Sequence, residues 1–264
     1  RLGQCHIDHG RWLEQSLPLR WTLDEYSPNT LLTGTWADAQ SRQQADALRE
    51  QWLPYMVDKI VAESSVIKSF YLQPKNNVVP SFKPGQFLTI KHPVDGKDTI
   101  RTYTVSSAPA DANLRISVKR EMSLDKSVPD GLFSNFIHSQ LAIGDTVYAK
   151  APMGEFVFDA AGSRPAVLLA GGVGITPMVS MARHAMIEGV RTRSVRPTTL
   201  ICAASNGEQR AFFKELRDIE QQSNGTIRSF WALSEIEGSM LAGRDYHHHG
   251  RISAALLQAV LPLD

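Results

Sequence analysis

The chain changes rhythm near residue 160, and that change constrains its fold more than any other feature. From Met56 to Phe158, short runs alternate apolar and polar side chains. In "LRISVKR" (114–120), Leu114, Ile116 and Val118 alternate with Arg115, Ser117 and Lys119, the mark of a half-buried strand. "VIKSFYLQP", "GQFLTIKHP" and "DTVYAKAPM" repeat the pattern between turns of Pro, Gly, Asn and Asp, which predicts an antiparallel barrel. Beyond Arg164 strands alternate with helices. "PAVLLA" runs into "GGVGITPMVSMARHAMIEG", "TTLICAAS" precedes "EQRAFFKELRDIEQQ", and "IRSFWALSE" precedes "GRISAALLQAV". Units of this kind build a doubly wound parallel sheet. The last helix ordinarily leads into another strand, so the natural chain is expected to continue past Asp264.

A length of 264 residues suffices for two such cores. The formal net charge of +1 gives no global field for nucleic acid. No run nears the roughly 18 apolar residues of a membrane span, and none is expected. Cys5 and Cys202 are the two cysteines, with no CxxC pair, so neither a zinc finger nor a four-thiolate iron–sulfur site is patterned. A reduced, cytoplasmic protein is the expectation. The first residue is Arg1 rather than Met, which leaves room for an upstream segment. Residues 1–54 hold Trp12, Trp21, Trp36 and Trp52 and a polar stretch, "ADAQSRQQADALREQW", that reads as helix. They are expected to be a mostly helical extension or the remnant of an upstream domain. Cys5, His6 and His9 suggest a metal, but ordinary structural roles are favoured because no partners are patterned with them.

Three stretches carry chemistry. In "RTYT" (101–104), strand geometry puts Arg101 and Tyr103 on one face and Thr102 and Thr104 on the other. An arginine fork suits a phosphate, a tyrosine ring suits a planar ligand, and the amide and hydroxyl of Thr104 suit a ring nitrogen. Together these describe a flavin nucleotide, against a plain alternative of cross-strand surface pairs. In "PDGLFSNFIHSQLAIGD" (129–145), a helix opens at Asp130 or Gly131, with Leu132, Phe133, Phe136, Ile137 and Leu141 as its apolar stripe. Its free first-turn amides, near Ser134, could cradle a pyrophosphate. In "VLLAGGVGITPM" (167–178), an apolar strand feeds a glycine loop, with Pro177 in the first helical turn. The spacing of Gly172, Gly174 and Pro177 is GxGxxP, not the dinucleotide GxGxxG. "TTLICAAS" also lacks the acidic residue that holds an NAD ribose in that fold, which disfavours a standard Rossmann dehydrogenase.

"RTYTVSSAP", "RISVKRE", "PDGLFSNFIHSQLAIGDTVYAKAPMGEF" and "VLLAGGVGITPM" stand in an order and spacing that resembles the ferredoxin–NADP reductase superfamily, most closely the reductase part of flavohaemoglobins. The resemblance covers about residues 55–264. It implies a six-stranded antiparallel FAD-binding barrel (55–160) followed by an α/β domain binding NADH or NADPH (161–264). By matching position, it implies that Arg101 contacts a flavin phosphate and that Thr102, Tyr103 and Thr104 adjoin the ring, with Tyr103 and Thr104 at the reacting centre. Phe87, Val118 and Lys119 would line the flavin, and Gly131, Leu132, Phe133 and Ser134 would hold the pyrophosphate. Gly171, Gly172, Val173, Gly174, Ile175, Thr176 and Pro177 would form the nicotinamide-nucleotide loop, with Ala203, Ala204, Ser205 and Asn206 beside a ribose. The implied activity passes hydride from NAD(P)H to flavin and then electrons to a haem or iron–sulfur acceptor outside this chain. No globin pattern precedes the barrel, and the family's Cys-Gly-Pro segment does not follow the last helix. The alternative is a flavin-binding sensor or docking module without turnover.

Other candidates are set lower. "YHHHG" (246–250) is expected to be a solvated loop rather than a metal site. Ser106 and Ser107 lack a GxSxG frame. Cys202 is expected to be a core residue. Arg210 and Lys214 could meet a 2′-phosphate or simply form a solvated helix face.

Overall fold

A computed structural model describes residues 50–123 and 130–261. Its contacts divide the chain between Leu53 and Pro54. The polar helical stretch and the Cys5, His6 and His9 cluster lie outside the described residues, apart from the last residues of "ADAQSRQQADALREQW".

The alternating runs become β1 (Leu53–Ala62), β2 (Ile67–Pro74), β3 (Phe87–Val94), β4 (Lys97–Thr104), β5 (Leu114–Lys119) and β6 (Thr146–Ala149). They form one sheet in the order β4-β3-β6-β1-β2-β5, antiparallel in its recorded registers. An isolated Val105–Ile116 bridge brings the end of β4 to β5 and curls the sheet toward closure. Leu114, Ile116 and Val118 are buried in the core with Tyr55, Phe70, Leu72, Leu88 and Ile90. The half-buried strand expected here is instead buried on both faces, with Arg115 and Ser117 4% and 2% exposed, because polar partners cover the second face. Among the described residues one helix, α1 (Leu132–Ser139), interrupts these strands and buries Phe133 and Ile137. Leu132 departs from the expected stripe and is exposed: Phe133 and Ile137, one turn apart, set the buried face, and Leu132 lies about 100° round the helix from Phe133.

The second half forms β7 (Ala166–Gly171), a 3₁₀ turn at Gly172–Gly174, α2 (Ile175–Thr192), β8 (Thr198–Ala204), α3 (Phe213–Gln222), β9 (Ile227–Leu233), β10 (His248–His249) and α4 (Ala254–Val260). The sheet order is β10-β9-β8-β7, parallel throughout. Leu168, Ala170, Leu200 and Cys202 pack with Val179, Ala182, Leu216 and Ile219, so α2 and α3 share one face of this sheet. Burial pushes the Cys202 thiol up to about 12, as a core residue requires. The histidines read as a loop instead begin a short strand beside β9, where a ring nitrogen of His247 accepts from the Trp231 amide at 3.0 Å.

Burial holds the His138, His184 and His247 imidazoles below the usual histidine value. His138 Nε2 donates to the Val118 carbonyl at 2.7 Å, joining α1 to β5. As pH falls, the unfolded chain takes up these protons before the folded chain does. Their stabilising contribution is therefore complete above the unfolded pKa and is lost as pH falls through the lower folded values. The thermal midpoint of the ligand-free protein should be level near pH 8 and decline from about pH 6.5 downward. A level midpoint to about pH 5 would contradict this.

Candidate functional site

Two clefts open where the barrel meets the parallel sheet, and the glycine turn lies between them. One, of about 490 Å³, is lined by Arg101, Thr102, Tyr103 and Thr104 of β4, Lys119 of β5, Gly131–Ser134 at the start of α1, and Val173, Gly174, Thr176 and Pro177. The other, of about 570 Å³, is lined by Gly171, Gly172, Ala203, Ala204 and Ser205 together with Lys119. Both volumes fall within the roughly 300–1,000 Å³ of small-molecule sites. Gly171 and Gly172 face one cleft and Val173 and Gly174 the other, while Lys119 lines both.

All four residues of "RTYT" reach one cleft, although period-2 alternation assigned them to two faces. The reason is the place of β4 at the end of the sheet order; an end strand presents both faces and a free edge. The Tyr103 ring stacks on Phe133, with centroids 6.1 Å apart and planes 21° from parallel. Burial pushes its hydroxyl up to about 12, so the phenol stays neutral and able to donate. Arg101 is exposed, and its recorded hydrogen bond runs to the adjacent Ile100 carbonyl at 2.7 Å.

Two backbone features suit phosphates. The first turn of α1 has no side-chain cap and no acidic residue, so its amides remain available to an anion. Ser134 Oγ is occupied locally, donating to the Gly131 carbonyl at 3.1 Å and accepting from the Glu121 amide at 3.2 Å. The glycine turn is likewise uncapped by any side chain. A Cβ at Gly171, Gly172 or Gly174 would meet no atom within 4 Å, so each borders open space. Gly172 has φ +52, in the left-handed region that favours glycine. Thr176 Oγ1 donates to the Val173 carbonyl at 3.1 Å and ties the turn to α2. A flat aromatic wall, an exposed guanidinium and two uncapped turns fit a flavin dinucleotide beside a nicotinamide dinucleotide.

Four expected residues line neither cleft. Phe87 pairs with Thr104 in the β3–β4 register, and its ring lies against Gly154. Val118 and Ile175 are core residues, 1% and 3% exposed. Asn206 caps the next turn, its Oδ1 accepting from the Gln209 amide at 3.2 Å. Conversely, Ser117 and Glu121 in the first cleft, and Gln209, Ser234 and Arg251 in the second, were not anticipated. Ser117 was legible, since it shares a strand face with Lys119. Ser234 and Arg251 carry no local signal. Arg210 stacks on Phe213 at 4.0 Å and donates to the Gly207 and Asp245 carbonyls, while Lys214 pairs with Asp218 at 2.6 Å on an exposed helix face.

Fold and site together define a class: a two-domain oxidoreductase module that binds FAD on a barrel and a nicotinamide dinucleotide on a parallel sheet. Sequence comparison agrees. Residues 55–158 match the oxidoreductase FAD-binding domain and residues 168–264 the oxidoreductase NAD-binding domain. The chain belongs to the ferredoxin–NADP reductase superfamily. It is 37% identical over 192 residues to flavohemoprotein A of Dictyostelium discoideum, covering 70% of this chain and 47% of that one. It is 35% identical over 211 residues to a flavohemoprotein of Bacillus cereus, covering 79% and 51%. The chain thus spans about half the length of the curated relatives it matches. The FAD/NAD-binding domain of a Vibrio cholerae nitric oxide dioxygenase superposes with TM-score 0.67 at 27% identity, over 80% of this chain and 82% of that one. The cytochrome b5 reductase domain of Ulva prolifera nitrate reductase shares the fold at TM-score 0.67 and 17% identity, over 80% and 82%.

Proposed function

We propose that residues 55–160 hold FAD and residues 161–264 hold NADH or NADPH, so that reducing equivalents pass from the nicotinamide to the flavin and on to a haem or iron–sulfur acceptor outside this chain. The observation that carries this reading is the glycine turn shared between the clefts, which lets a nucleotide seated on Gly171 and Gly172 extend toward Tyr103. When bound, FAD supplies the chemistry of accepting two electrons with a proton and releasing electrons singly. The chain supplies position and electrostatics. Arg101 grips a flavin phosphate, the amides of Leu132–Ser134 the pyrophosphate, with Gly131 held in place by its own amide's bond to the Glu121 carbonyl at 2.9 Å, and Tyr103, backed by Phe133, a ring face. Thr104 presents an amide and hydroxyl at the ring's edge, and Lys119 adds positive charge at the junction of the clefts.

The flavohemoprotein relatives, named for their haem, support a haem acceptor. Among the described residues no helix is long and apolar enough to cross a membrane. A cytoplasmic location belongs to the same proposal. The natural full-length protein, loaded with FAD, should lose its visible flavin absorbance on anaerobic addition of NADH or NADPH. Persistence of the oxidised spectrum with flavin bound would leave a sensor or docking module as the reading.

A further inference from the structure

The barrel and the parallel sheet are joined by a polar clasp that lines neither cleft. Its centre is Arg115 of β5, 4% exposed. Each of its five N–H groups has a partner: Nε donates to Ser106 Oγ at 3.1 Å and Nη1 to the Tyr71 hydroxyl at 3.4 Å. Nη2 donates to the Ser106 carbonyl at 2.6 Å, and both Nη atoms bond the Glu215 carboxylate of α3, at 2.8 and 3.2 Å. Glu215 also accepts from Arg183 of α2 at 3.2 Å. Arg183 in turn holds Asp111, in the β4–β5 connection, at 2.6 and 3.2 Å. Close by, Ser180 Oγ donates to the Ser107 carbonyl at 2.6 Å.

These residues share faces with those that line the flavin-side cleft. Arg115, Ser117 and Lys119 follow one another on one face of β5, spaced by two. Thr176, Ser180 and Arg183 lie along one face of α2, at i, i+4 and i+7. The clasp therefore ties together the strand and the helix from which opposite cleft walls rise. Stability alone is a poor account of it, because desolvating a buried ion pair offsets most of its attraction, and apolar side chains of similar size often serve as well. What a five-donor guanidinium bound to a carboxylate adds is a fixed relative orientation.

We infer that Arg115 and Glu215, seconded by Arg183 and Asp111, are positioning residues that set the gap between the glycine turn and the flavin-binding strand. The inference rests on the function proposed above; the residues touch neither cofactor.

The test uses the full-length protein with the apolar pair Arg115→Met/Glu215→Leu. FAD affinity should stay within about twofold, while the saturating rate of flavin reduction by NADH or NADPH falls at least about tenfold, since small misplacements of reacting groups are that costly. Recovery of the thermal midpoint together with the parental rate would overturn the inference. Should that pair fail to fold, Asp111→Asn/Arg183→Gln, on the half-exposed side of the clasp, should show a smaller loss of rate at unchanged FAD affinity; an unchanged rate there also overturns it. A second readout needs no cofactor. Spin labels at Lys97→Cys on β4 and Val190→Cys on α2, in a Cys5→Ser background, should give a narrow distance distribution in the parent and a broad one in either variant. Equally narrow distributions would refute the clasp even if the parent proved not to be reduced by NAD(P)H, an outcome that would count against the functional reading alone.

Discussion

Replacing Arg101 by alanine is expected to yield a folded protein that binds FAD about 100-fold more weakly. The fold should barely notice. Arg101 is exposed at the end strand of the sheet, and its recorded hydrogen bond reaches only the neighbouring Ile100 carbonyl. Surface substitutions without structural partners typically change stability by no more than about 0.5 kcal/mol. The ligand loses far more. A charge-assisted contact between a guanidinium and a phosphate is worth about 2–3 kcal/mol, close to two decades of affinity. Titrating the ligand-free protein with FAD, followed by flavin fluorescence, measures the loss, and the thermal midpoint measures the fold. Parental affinity in the variant would remove Arg101 from the site.

Gly85→Ala is expected to destabilise the fold far more than a methyl group added at an open turn. Gly85 has φ +106, a conformation that L residues rarely adopt, and an added Cβ would lie 2.1 Å from the Phe156 carbonyl oxygen and 2.8 Å from Met181 Cε. The methionine tip can move, but the Phe156 backbone must shift. Phe156 lies in the connection between β6 and β7 and Met181 on α2, so the clash falls where the barrel abuts the second sheet's helix. Strain combined with overpacking of this kind costs about 4 kcal/mol or more, which lowers the midpoint of a chain this size by roughly 10 °C. Gly96→Ala is the control. That glycine also has positive φ, +75, but a Cβ there would meet nothing within 4 Å, so only the conformational cost of about 1 kcal/mol remains. Equal losses in the two variants would show that packing against Phe156 contributes nothing.

Much of the fold is written locally. Alternation in "LRISVKR" places Val118 in the core and Lys119 at the cleft, and both are found there. The resemblance assigned Val118 to the flavin, against its own strand parity, and it is parity that the structure follows. Asn206 and Ile175 adjoin residues that line the clefts, but local demands occupy them: one caps a turn and the other fills the core. A motif marks a segment, whereas hydrogen bonding and burial decide which of its side chains are free to meet a ligand.

The order of the two sheets, the "RTYT" segment of β4, the start of α1 and the glycine turn could all be read from the chain alone, because each depends on neighbours within a few residues. Folding in three dimensions settles that all of "RTYT" opens to one cleft, that Ser234 and Arg251 join the other, and that Arg115 meets Glu215 one hundred positions away. Periodicity and turn chemistry act over one or two turns of chain. Contacts between distant segments exist only once strand order, sheet curvature and the seam between the domains have been fixed, and no short stretch of sequence encodes those.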